Sequence, residues 1–177
     1  MSEIRIRPAE GGDSEGIARM LTRHFEEIGD GDIHRSDAAA LRRHGLGENP
    51  LFHTLVAEGP EADGRRPELG FVLCFSTFST IRMAPGVHIQ DVWVHEDARG
   101  TGLGRRLIGE CARHAAFAWG AAYLTLMVYE DNAGALGFYR RLGFVQDTRD
   151  RPLHVDGTAF ERLLVADTVD SNGRNRP

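Results

Sequence analysis

The chain has 177 residues, 41% of them hydrophobic, and a formal net charge of −5. That length supports one sizeable core, and the acidic balance argues against non-specific nucleic-acid binding and mildly favours a cationic partner. No stretch approaches ~18 consecutive apolar residues and the first residues lack an apolar signal core, so neither a membrane span nor a secretory leader is expected.

Residues 3–7 alternate polar and apolar and read as a first strand. Asp13 or Ser14 can cap a helix running to about Ile28, with Ile17, Met20, Leu21, Phe25 and Ile28 inward. Gly29-Asp30-Gly31-Asp32 breaks it. Ser36 or Asp37 can cap a short helix through His44. Strands are predicted over 52–58, 69–75 and 88–94, the first two separated by a polar turn over 59–67. A Gly-rich turn over 99–104 leads into a helix over 103–118, with Leu103, Leu107, Ile108, Cys111, Ala115 and Ala118 on one face. A strand over 122–128 follows. Asp131 or Asn132 then caps a helix that Gly143 stops. A short strand at Phe144, a charged loop over 147–156 and a last strand over 158–165 complete a domain of residues 1–166. The polar tail over 167–177 is expected to be disordered. Cys74 and Cys111 lie in apolar runs and read as buried, reduced thiols, which points to the cytoplasm.

A Gly-rich turn at a helix start presents unpaired backbone N–H groups and the positive end of the helix dipole, a setting for phosphate. Arg99 and Arg105 flank it with guanidinium groups suited to phosphate oxygens. The chain has no lysine, which removes a P-loop. A dinucleotide-binding turn lacks its third glycine, because Arg105 stands there.

The run Arg99-Gly100-Thr101-Gly102-Leu103-Gly104 instead fits [Arg/Gln]-x-x-Gly-x-[Gly/Ala]. Further on, Asn132-Ala133-Gly134-Ala135-Leu136-Gly137-Phe138-Tyr139 precedes Gly143-Phe144. In this order, the two segments resemble the signatures of the GNAT acetyltransferase superfamily, and the likeness extends over residues 3–165. It implies an α/β fold: a mixed central sheet of about seven strands, helices on both faces, and two central strands (88–94 and 122–128) that splay to admit the pantetheine arm. It also implies acetyl-CoA as co-substrate, transfer inside a ternary complex, and no metal. Arg99, Gly100, Thr101, Gly102, Leu103, Gly104 and Arg105 would hold the pyrophosphate. Val92, Trp93 and Val94 would line the cofactor, with backbone groups of Val92 and Val94 on the pantetheine amides and the oxyanion. Asn132, Ala135 and Tyr139 would complete that site. A homodimer is expected by analogy.

Acyl transfer to an amine requires a deprotonated nucleophile, alignment, an oxyanion site and a proton for the departing thiolate. Tyr139 is the expected general acid, since a phenol stays protonated at neutral pH. Gly70-Phe71-Val72-Leu73 and Ile89-Gln90-Asp91-Val92-Trp93-Val94 resemble diamine (spermidine/spermine-type) acetyltransferases, which carry Glu-Asp where this chain has Gln90-Asp91. Gln cannot accept a proton at neutral pH. Asp91 is therefore the expected base or cation anchor, and strand alternation places it and Gln90 on opposite faces. Gln90, Asp91, Glu26 and Glu27 are the expected acceptor-site residues; as helix-end acids, Glu26 and Glu27 can equally be plain solvated groups. Asp91 can equally be a structural carboxylate, and Tyr139 a packing residue. The eight histidines show no metal spacing and read as surface or core polar groups; Trp93 and Trp119 read as core aromatics. The favoured acceptor is a small diamine or polyamine. An amino acid, an aminoglycoside or a protein amino group, and a non-catalytic acyl-CoA-binding module, are the alternatives.

Overall fold

The computed structural model describes residues 4–62, 64–147 and 153–165. Along the chain run β1 (Arg5–Pro8), α1 (Ser14–Ile28), α2 (Ala38–Gly45), β2 (His53–Glu58), β3 (Glu68–Ser79), β4 (Ala84–Val94), α3 (Leu103–Trp119), β5 (Leu124–Leu126), α4 (Ala133–Arg141) and α5 (Gly157–Val165). The strands form one mixed sheet in the order β1-β2-β3-β4-β5. The first four pair antiparallel, and β5 joins β4 in parallel, as a strand returning through a crossover helix does. Two compact units are present, Met1–Leu142 and Gly143–Pro177, and the sheet belongs to the first.

Alternation along the strands feeds two cores. Leu55, Ala57, Val72, Cys74, Val87 and Ile89 face Leu103, Leu107, Ile108, Cys111 and Ala115 of α3. Val56, Phe71, Leu73 and Trp93 face Ile17, Met20 and Leu21 of α1. Helices therefore cover both faces, as expected. Cys74 and Cys111 are free thiols, both buried in the α3-side core. Among the described residues no helix is long and apolar enough to cross a membrane.

Three expectations are corrected. The sheet has five strands among the described residues, not about seven. Phe144 lies in an irregular segment, and the stretch expected as a last strand, 158–165, lies in α5. Its run Phe160-Glu161-Arg162-Leu163-Leu164 contains no β-branched residue, and Leu, Glu and Arg are strong helix formers. The tail over 167–177 lies outside the described residues.

Candidate active site

β4 and β5 run together for only three residue pairs, Val87–Leu124, His88–Thr125 and Ile89–Leu126. Beyond Ile89 the strands part: Met127, next after Leu126, is 71% exposed. Residues 91–94 of β4 are paired with β3 but have no β5 partner. One side of that backbone is a free strand edge, which requires hydrogen-bond partners from elsewhere. This is the splayed pair expected from the sequence.

The Gly-rich turn meets the requirements of an anion cradle. Gly100 and Gly102 adopt φ of 75° and 87°, a left-handed backbone that disfavours any side chain. Gly102 is the N-cap of α3 and no side chain caps that end, so the first-turn N–H groups face outward without a side-chain acceptor. A Cβ on either glycine would meet nothing within 4 Å, so there is open space in front of the turn. The Thr101 hydroxyl donates to the Ala98 carbonyl at 2.7 Å and braces the turn. Arg105 is exposed, whereas Leu103 is 1% exposed and its side chain belongs to the α3 core, leaving only its backbone for a ligand. These residues fit a pyrophosphate. Arg99 donates from Nε to the Val94 carbonyl at 2.9 Å and pairs through Nη2 with Glu27 at 2.6 Å. One guanidinium thus ties the turn to the open strand and to the end of α1.

Asn132 caps α4, its Oδ1 accepting from the Ala135 N–H at 3.0 Å. The helix lays Phe138 and Tyr139 against the α3-side core. Burial pushes the Tyr139 phenol above its ordinary value, so it is protonated at neutral pH. Val92 and Val94 face the same core. Trp93 turns the other way, 5% exposed and packed among α1 residues.

Asp91 is placed by a defect in the sheet. The register shifts between Leu73, opposite Asp91, and Cys74, opposite Ile89, so Gln90 is an extra, exposed residue in a β-bulge. Strict alternation does not hold there between Ile89 and Asp91. From Ile89 in the α3 core, alternation would have carried Asp91 to that same side; the bulge re-aims it toward α1. There its Oδ1 lies 3.8 Å from His24 Nε2, with the side chains 11% and 18% exposed. Burial pushes the Asp91 carboxyl up to about 6 and lowers the His24 imidazole below its ordinary value. Tyr129 donates to Asp30, and its phenol is raised by that bond, by burial, and by the charges of Asp30, Asp131 and Asp91. Of these carboxylates Asp30 is the one in contact with the phenol. Glu26 is exposed on the outer side of α1.

His24 is not among the site residues expected from the sequence. The available signal was its phase: on α1 it follows Ile17, Met20 and Leu21 along the buried stripe.

A mixed sheet whose β4–β5 pairing ends after three residues and an uncapped glycine turn at the head of α3 make up the candidate site. Residues 61–144 match the Acetyltransferase (GNAT) family. Thialysine N-epsilon-acetyltransferase of Sus scrofa is 33% identical over 147 residues, spanning 81% of this chain and 85% of that protein. Spermidine/spermine N(1)-acetyltransferase-like protein 1 of Homo sapiens is 25% identical over 168 residues, 93% of this chain and 24% of that protein. Among solved structures, an integron cassette protein from the mobile metagenome of V. cholerae superposes with a TM-score of 0.71 at 22% identity, covering 91% of this chain and 97% of that one. The chain belongs to the GNAT family and is an acetyl-CoA-dependent N-acetyltransferase.

Proposed function

We propose that this enzyme acetylates a primary amine on a small molecule that carries a second amino group, of the thialysine or diamine kind, by direct attack in a ternary complex. The observation that carries this reading is Asp91: a largely buried carboxylate on the open half of β4, whose negative charge, with those of Asp30 and Asp131, is felt at Tyr129. A monocation would use one of these acids; a dication uses the cluster. The thialysine and spermidine/spermine names of the relatives agree with such an acceptor.

Acetyl-CoA supplies an activated thioester. Arg99, Arg105 and the N–H groups at the head of α3 hold its pyrophosphate, and the free edge at Val92 and Val94 offers N–H groups to the pantetheine amides and the developing oxyanion. Asp91 draws in the acceptor ammonium. Once the amine is deprotonated, its lone pair attacks the carbonyl carbon, the C–N bond forms and the C–S bond breaks. Tyr139 gives its hydroxyl proton to the departing sulfur, and the second proton that the nitrogen sheds as it becomes the amide nitrogen restores the phenol through solvent. Asp91 and Tyr139 lie on opposite faces of the sheet, so nucleophile and leaving group are served from the two sides of the gap.

Thiol release from acetyl-CoA, measured against thialysine, lysine, putrescine, spermidine, simple monoamines, an aminoglycoside and short peptides, tests the reading. The expected result is a kcat/KM at least about tenfold higher for the small diamino acceptors, equivalent to about 1.4 kcal/mol of transition-state binding. A profile led by monoamines, aminoglycosides or peptides overturns it.

A further inference from the structure

The His24–Asp91 spacing has its own chemistry. At 3.8 Å, Nε2 and Oδ1 are too far apart for a direct hydrogen bond. A nitrogen about 2.8–3.0 Å from each would subtend an angle of roughly a right angle or slightly less, close enough to a tetrahedral ammonium to donate one N–H to each. The pair has the geometry of two acceptors waiting for one shared donor.

We propose that His24 is a catalytic residue of this enzyme: its Nε2 and Asp91 Oδ1 together seat the acceptor ammonium, and the neutral imidazole takes the proton that Gln90 cannot. This rests on the small-amine acceptor reading given above. In the step, one N–H bond of the ammonium breaks and its electron pair stays on nitrogen as the nucleophile. The proton moves to Nε2, and the resulting imidazolium is held by the Asp91 carboxylate. A carboxylate beside an imidazole stabilises the charged ring as it forms.

The surroundings favour this assignment. Three groups face His24: Asp91 from β4, Glu27 one turn along α1, and His34 from the segment after α1. Glu27 favours an imidazolium; His34, stacked on Phe25 with ring centroids 4.2 Å apart, opposes it. Burial keeps the resting ring neutral, as a base must be. Asp91 is faced in turn by His24, and its charge reaches Tyr129, which donates to Asp30.

His24→Gln keeps an acceptor oxygen near the same position but cannot titrate. Its kcat/KM for the best amine should fall at least about 30-fold near neutral pH, within the range of general base catalysis. The loss should shrink as pH approaches the acceptor's own pKa, near ~10 for an alkylamine, because the nucleophile then arrives deprotonated. His24→Asn should behave alike, and either variant serves once its thermal midpoint matches the parent. A merely structural His24 would lower rates equally at every pH. A flat ratio of parent to variant across pH, or a kcat/KM within threefold of the parent, overturns the proposal while the amine reading stands. A parent enzyme that binds acetyl-CoA but acetylates none of the amines overturns both.

Discussion

With its carboxyl pushed up to about 6 by burial, from an ordinary value of 3.8, Asp91 carries a stability cost that depends on pH. Below about pH 4 the group is protonated folded and unfolded, and it costs nothing. As pH rises through 6 the native state must hold the charge, and the cost grows to at most about 3 kcal/mol at 1.36 kcal/mol per unit. Asp91→Asn should therefore unfold at higher urea than the parent at about pH 8, the two converging at about pH 4, while its KM for the acceptor rises at least tenfold. A variant less stable than the parent at about pH 8 would mean that Asp91 is held by partners that favour its charge. Tyr139→Phe removes one hydroxyl from a packed ring. If that hydroxyl protonates the thiolate, kcat falls by about 10² or more with little change in either KM; turnover within threefold assigns Tyr139 to packing.

At the scale of elements, the turn before α3 and the bulge in β4 position the chemistry. Gly102 sits at φ 87° with no neighbour in the way of a Cβ, so Gly102→Ala tests conformation without crowding. Forcing Ala into a left-handed backbone costs about 1–2 kcal/mol. The expected outcome is a thermal midpoint lowered by a few degrees and an acetyl-CoA KM raised about tenfold, with acceptor KM little changed, read from steady-state kinetics with each substrate varied. An unchanged acetyl-CoA KM would place the cofactor away from this turn. The bulge at Gln90 matters for a different reason: it is what turns Asp91 toward α1 and His24.

For the whole molecule, the proposed dicationic acceptor would meet both the net charge of −5 and the carboxylates Asp30, Asp91 and Asp131. Raising salt from about 0.01 M to about 1 M shortens the Debye length from roughly 30 Å to roughly 3 Å. The kcat/KM for a diamine should drop severalfold over that range, and more than for a monoamine of similar size. Equal drops for both would mean that only one charge is read.

The sequence by itself determined the class. Glycines in a left-handed turn, an Asn N-cap and apolar residues at helical spacing act through local backbone rules, so the turn at 99–104, α1, α2, α3 and α4 were all legible. The reading failed at the chain's end, where residues 158–165 were expected as a strand and helix formers made α5. Only the tertiary structure brought His24 to Asp91. A bulge depends on how β4 registers against β3, not on the residues of β4 alone. The approach of His24 to Asp91 joins α1 to β4 across 67 residues of sequence, a contact that no spacing encodes because the packing of α1 on the sheet creates it.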